Sequence, residues 1–226
     1  MAVITISRQT GSGGDEIAAL VCKQLGYRYF DKAMLAKAAS EETQSEVDFL
    51  KFSEEDFVKG SRLMNRLLAA LGAGGERTVA QLRTWAEDAR GQRTVTVLQL
   101  DESRAILLVQ NAIRYVAEQG QVVIMGRGAQ VILKDHRAAL HVRIEAPWED
   151  RVQRVKQRYD LRGEGARAEA QNLNARRDEA TADYVRRFYD VNIKDALLYH
   201  LVINTGKLSV EAAAELIATA ASLLPA

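Results

Sequence analysis

Cysteine is nearly absent: Cys22 stands alone in 226 residues. No disulfide can form within the chain, and a reducing cytoplasm is the expected setting. Cys22 falls in an apolar helical stretch, where it reads as a small buried hydrophobe. Proline is scarce too. Pro147 and Pro225 both lie outside the helices and strands that the pattern predicts. Charge of one sign is missing: 31 basic residues against 30 acidic ones leave a net charge of +1. No bulk field therefore draws nucleic acid or an anionic membrane, and any phosphate recognition must come from local clustering. No apolar run reaches the ~18 residues a bilayer span needs, and the first residues lack a basic leader with a cleavage pattern. Histidines are few. His136, His141 and His200 show no ligand spacing, so no zinc site is expected, and no Ser-His-Asp order stands out.

What is present is an ordinary globular composition, 47% hydrophobic and 27% charged, in a chain long enough to bury its own core. Five short apolar runs read as buried strands: 2–7, 27–30, 122–126, 140–146 and 201–204. Between them, 15–25, 103–118 and 210–224 carry apolar residues at helical spacing. Strands alternating with helices predict a doubly wound α/β sheet. Two stretches interrupt the alternation. Residues 34–100 read as mostly helical and polar, with an apolar stripe over 43–70 that could face its own core or a partner chain as a homodimer. Residues 150–190 read as helical and charged, with a loop at 163–165. Trp85 and Trp148 read as packing residues.

The sharpest local feature is Ile4-Thr5-Ile6-Ser7-Arg8-Gln9-Thr10-Gly11-Ser12-Gly13-Gly14-Asp15-Glu16-Ile17-Ala18, a strand, a glycine-rich turn and a helix. Such a turn gathers successive N–H groups and a helix N-terminus at one point, which suits an anion. Three readings compete. In a dinucleotide loop, Gly11 and Gly13 fit, and Asp31 sits where a ribose-binding acid would; but Glu16 holds the third glycine place. In a nucleoside-triphosphate loop, the closing G-K-[ST] is replaced by Gly13-Gly14-Asp15, and the lysine is missing. The third reading is a plain turn. Arg8 at the strand exit weighs against it, because a guanidinium there could replace the lysine and grip phosphate with its fork.

The run from Ile6, Ile-Ser-Arg-x-x-Gly-Ser-Gly-Gly-x-x-Ile-Ala, resembles the opening of the cytidylate-kinase-like family. Val123-Ile124-Met125-Gly126-Arg127-Gly128-Ala129 resembles that family's strand-plus-GRG segment, and Tyr199–Thr205 with Leu208–Glu211 its last strand and helix. The resemblance implies a P-loop NTPase-like three-layer α/β fold. It would have a five-stranded parallel sheet, a helical insertion and an arginine-rich lid in one domain. The core would be 1–33, 101–150 and 190–226, the acceptor-side insertion 34–100, and the lid 151–189. It further implies that Arg8, Thr10, Gly11, Ser12, Gly13, Gly14, Asp15 and Glu16 hold the phosphates of ATP. Asp31, Lys37, Arg127, Arg177 and Asp178 would serve the acceptor, a nucleoside monophosphate with CMP or dCMP favoured. Lys32 and Gly128 replace the serine and aspartate of cytidylate kinases.

Arg151, Arg154, Arg158 and Arg162 are spaced three, four and four apart, so on one helix they share a face. Arg176, Arg177, Arg186 and Arg187 form a second cluster, with Asp178 and Asp183 between. These resemble the lid of nucleoside monophosphate kinases, which implies Arg8, Arg154, Arg158 and Arg187 as the groups that neutralise the transferring phosphoryl. The bland alternative is a solvated helix with i,i+4 pairs Asp183–Arg187 and Asp150–Arg154. Magnesium is expected with ATP. Asp15 either touches that ion or, as the preferred reading, caps the helix. An enzyme, a nucleotide sensor of the same fold and, more weakly, a dinucleotide oxidoreductase are the functions carried forward.

Overall fold

A run of alternating side chains, Val3-Ile4-Thr5-Ile6-Ser7-Arg8, forms the first strand, β1 (Val3–Arg8), at the centre of a sheet. The computed structural model describes residues 2–31, 80–87, 93–100 and 102–225. The remaining strands of this sheet are β2 (Arg28–Phe30), β5 (Val122–Met125), β6 (Ala139–Glu145) and β7 (Leu201–Asn204), in the order β2-β5-β1-β6-β7. All four pairings are parallel, and Val3 faces Val122 on one side and Ala139 on the other. The five expected strands are thus the five observed, within one or two residues at their ends.

Among the described residues the α-helices are α1 (Gly14–Leu25), α2 (Glu102–Gln119), α3 (Ala129–Ile132), α4 (Trp148–Arg158), α5 (Ala166–Tyr189) and α6 (Val210–Ser222). Ser209 starts α6 by accepting a hydrogen bond from the Ala212 amide at 3.1 Å. Helices α1 and α6 cover one sheet face. Ile17, Ala18 and Val21 meet Ala213, Ala214 and Ile217 over Ile4, Ile6, Val123, Leu140, Val142 and Ile144. Alternation sends Thr5, Ser7, His141 and Arg143 to the opposite face, and all four are buried. Cys22 packs beside the apolar core, and burial pushes its thiol up to about 11.

The chain from β1 runs outward to β2 and returns through β5 beside β1; from β5 it crosses to β6 on β1's other side. Strand order reverses at β1, and it is beyond the carboxyl end of such a switch point that open α/β sheets bind ligands. That end carries the glycine turn.

The chain divides into two compact units, 1–30 with 116–226, and 31–115. The boundary falls within α2, whose Val109, Ala112, Ile113 and Val116 form its buried stripe. Within the second unit, the helical expectation for 34–100 is corrected at its C-terminal end. Residues Ala80–Glu87 and Arg93–Leu100 are strands, β3 and β4, paired antiparallel with Ala80 opposite Leu100 and Glu87 opposite Arg93. Arg93-Thr94-Val95-Thr96-Val97-Leu98 alternates with period two and is rich in β-branched residues, which favours a strand over a helix. The stripe over 43–70 lies outside the described residues. No helix among the described residues is long and apolar enough to cross a membrane.

Candidate functional site

Strand β1 ends at Arg8 and α1 begins at Gly14, so the turn between them lies at the carboxyl end of the switch-point strand. Helix α1 has no side-chain cap: its N-cap is Gly13, at φ 81. The first helical bond runs from the Ile17 amide to the Gly13 carbonyl at 3.0 Å. The amides of Gly14, Asp15 and Glu16 precede it and point along the axis, as an anion requires. The expected Asp15 cap is therefore corrected. Its carboxylate turns aside, accepting from Arg8 Nε at 2.9 Å and from an Arg158 terminal nitrogen at 2.8 Å. Two guanidiniums outcompete a helix amide for one carboxylate. Burial pushes the Asp15 carboxyl up, but Arg8 and Arg158 outweigh it and hold it below its ordinary value.

The missing lysine has a structural counterpart. A Cβ added at Gly14 would lie 2.7 Å from Arg8 Cβ and 2.9 Å from Arg8 Cγ. The stem of Arg8 thus fills the space that a side chain at residue 14 would need. Asp15 takes the Nε edge of Arg8, which leaves the terminal fork to face elsewhere. One fork nitrogen lies 3.3 Å from where a Cβ on Gly126 would stand. Arg127 is next to it. Burial lowers the Arg127 pKa, and the charge of Arg8 lowers it further, so two guanidiniums share this corner. No carboxylate among the described residues pairs with Arg127; its partner is the ring of Tyr184, 5.5 Å from Cζ. A guanidinium with no carboxylate partner beside the fork of a second one suits an anion.

The remaining arginines divide by what they touch. The buried Arg151 forms an ion pair with Asp178, and it also donates to the Thr10 carbonyl at 3.3 Å. Asp178 in turn accepts from the Thr10 amide at 2.8 Å. Helices α4 and α5 thereby clamp the turn by both backbone groups of one residue. Arg154 donates to the Thr205 hydroxyl and carbonyl, each at 2.8 Å, and to the Gly11 carbonyl at 3.5 Å, bracing the turn from outside. Thr205 closes this brace by donating to the Ser12 carbonyl at 2.7 Å. Arg158 alone of the α4 row meets the acids of α1. Its pKa is raised, first by its hydrogen bond to Asp15. Glu16 lies 3.9 Å from it and is half exposed.

Several expected placements differ. Arg162 does not share the α4 face, because the helix stops at Arg158 and Asp160 turns left-handed at φ 49; Arg162 instead pairs with Asp160. Asp183 pairs with Arg186 rather than Arg187, and Arg154 engages Thr205 rather than Asp150. Arg187 lies over Phe188, and Arg177 donates to the Tyr159 hydroxyl at 2.7 Å. Asp31 belongs to the second unit, and Lys37 lies outside the described residues. Among the described residues no group of three His, Cys, Asp or Glu side chains is placed to hold a metal ion. Asp15 has both oxygens engaged by arginine, which leaves Glu16 as the freer oxygen donor. That donor set fits magnesium carried mainly by phosphate oxygens.

Sequence reasoning missed Tyr184, Tyr189 and Thr205. The signal for the tyrosines is an aromatic cluster, Tyr184-Val185-Arg186-Arg187-Phe188-Tyr189, ending a helix that has no other aromatic residue. The three histidines, scattered in sequence, converge in part. His141 and His200 stack at 5.0 Å, and Thr5 shares a 2.8 Å hydrogen bond with His141 Nδ1.

An uncharacterized protein from Eubacterium ventriosum ATCC 27560 has a similar structure, with a TM-score of 0.65, 18% identity and 99% of each chain covered. A gluconokinase from Sinorhizobium meliloti 1021 aligns with a TM-score of 0.50 at 10% identity, covering 99% of this chain and 93% of that one. At such identities the likeness speaks for the fold. No curated protein matches the sequence. The model of the cytidylate kinase-like family matches residues 3–207. A P-loop kinase fold, a glycine turn at its switch point and a family match over nearly the whole length agree: the chain belongs to the cytidylate kinase-like family.

Proposed function

We propose that this chain transfers the γ-phosphoryl group of ATP to a nucleoside monophosphate, with CMP or dCMP as the acceptor. The observation that carries the reading is the Arg8 side chain lying in the space over Gly14, its fork beside Gly126 and Arg127. The uncapped amides of α1 and Arg8 hold the donor phosphates. Arg127 holds the acceptor phosphate, and Arg158 swings from Asp15 to the transferring group. An acceptor phosphate oxygen attacks the γ-phosphorus, the bond to the β,γ-bridging oxygen breaks, and its electron pair leaves with ADP. Such transfer needs positioning and charge neutralisation more than covalent help. Magnesium bound with the nucleotide supplies part of that neutralisation, offsetting the carboxylates of Asp15 and Glu16.

A second reading is a nucleotide sensor. It is favoured by the engagement of both Arg8 and Arg158 with Asp15, which competes with phosphate for the same cations. A coupled assay with ATP, magnesium and a panel of monophosphates separates the two. ADP formation that depends on CMP or dCMP supports the kinase. ATP binding without turnover for any acceptor supports the sensor.

A further inference from the structure

Two tyrosines of α5 hold Arg127 by its two ends. Tyr189 donates to the Arg127 carbonyl at 3.2 Å, and its ring fills the space that a Cβ on Gly128 would need, 2.4 Å away. Tyr184 lies under the guanidinium, and edge contacts to Phe188 at 5.0 Å and Tyr189 at 6.0 Å fix its ring. Between these holds, Arg127 keeps a left-handed backbone at φ 58, which side-chain-bearing residues rarely adopt. Such conformations persist where the surroundings over-determine them, commonly at ligand clamps.

The hydroxyl of Tyr184 is sealed from solvent and makes no well-aligned hydrogen bond among the described residues, although the Arg127 guanidinium and the Tyr189 hydroxyl lie close enough to act on its pKa. A buried phenol usually finds one. Arg127, beside it, offers donors only and cannot accept. The missing element is an acceptor that two guanidiniums and a phenol can share, and an oxyanion meets that description.

We propose that Tyr184 is a further binding group of this anion site, its hydroxyl donating to an oxygen of the phosphate that Arg127 holds beside the Arg8 fork. This rests on the role given above to those two arginines. The test is calorimetric titration of the full chain with inorganic phosphate and with pyrophosphate, in the wild type and in Tyr184→Phe. Phenylalanine keeps the ring under Arg127 and removes only the hydroxyl. Affinity for both anions is expected to fall about tenfold, as for a hydrogen bond to a charged group. The melting temperature without anion should hold or rise, because an unpaired buried hydroxyl has been removed. Unchanged affinity overturns the role of Tyr184 and leaves the arginines in place. Weaker binding with a lowered melting temperature makes the hydroxyl a packing group and overturns it as well. A wild type that binds neither anion removes the whole site, and this proposal with it. A wild type that binds both but consumes no ATP contradicts only the kinase reading.

Discussion

Arg8 reaches its place because residue 14 has no side chain; a Cβ there would stand 2.7 Å from Arg8 Cβ. A lysine at 14 and an arginine at 8 therefore exclude one another. Gly14→Lys alone should weaken ATP binding by jamming the two stems together. Arg8→Gly alone should weaken it by removing the cation. The double variant should recover most of the loss, giving a coupling of about 1–2 kcal/mol in a double-mutant cycle of ATP affinities. Additive losses would show that the two residues do not share one space. His141 gives a second prediction. Burial first, and then His200, lowers its pKa to about 4, against an ordinary value near 6.5. As pH falls below 6.5 the unfolded chain takes up this proton before the folded one does. Stability is then whole above about pH 6.5 and declines toward pH 4, with a slope approaching 1.4 kcal/mol per pH unit. Denaturant titrations across that window should show the slope in the wild type and a flatter limb in His141→Gln.

At the scale of elements, α4 and α5 are fastened to the phosphate turn through Arg151, Asp178 and Thr10. Asp178→Ala strands a buried guanidinium and should cost on the order of 3 kcal/mol in urea unfolding. It should also raise the KM for ATP, because Thr10 loses its anchor. An unchanged KM would separate the clamp from donor binding. Gly128→Ala would put a methyl group into the Tyr189 ring at a left-handed position, φ 71, and should destabilise the fold by about 2 kcal/mol. The same contact leaves no room at 128 for the aspartate that the resemblance to cytidylate kinases implies there. That contact could not be read from the sequence, because Tyr189 lies 61 positions away. The strands were legible, since short apolar runs bounded by glycine or polar residues have few other uses. The hairpin at 80–100 was not, because its alternation sits within a charged stretch read as helical. The end of α4 was hidden likewise: Asp160 turns left-handed where residue spacing alone continues the helix to Arg162.

At the scale of the whole molecule, a net charge of +1 hides a sorted distribution. The opposed charges meet along the turn, where Arg8, Asp15 and Arg158 interlock, while Arg127, beside the Arg8 fork, has an aromatic ring rather than a carboxylate as its partner. A near-neutral chain should bind its ligand through this local field and show little affinity for nucleic acid. The family match over residues 3–207 and the five-stranded sheet set the scaffold; the proposed function adds Arg8 as the cation at its turn. Calorimetric titration of magnesium-ATP into the wild type and Arg8→Ala tests that addition most directly. Saturable binding by the wild type, weakened at least tenfold in the variant while its melting curve stays in place, is the expected result. Equal affinity in the two proteins would contradict the role of Arg8 as the cation that replaces lysine.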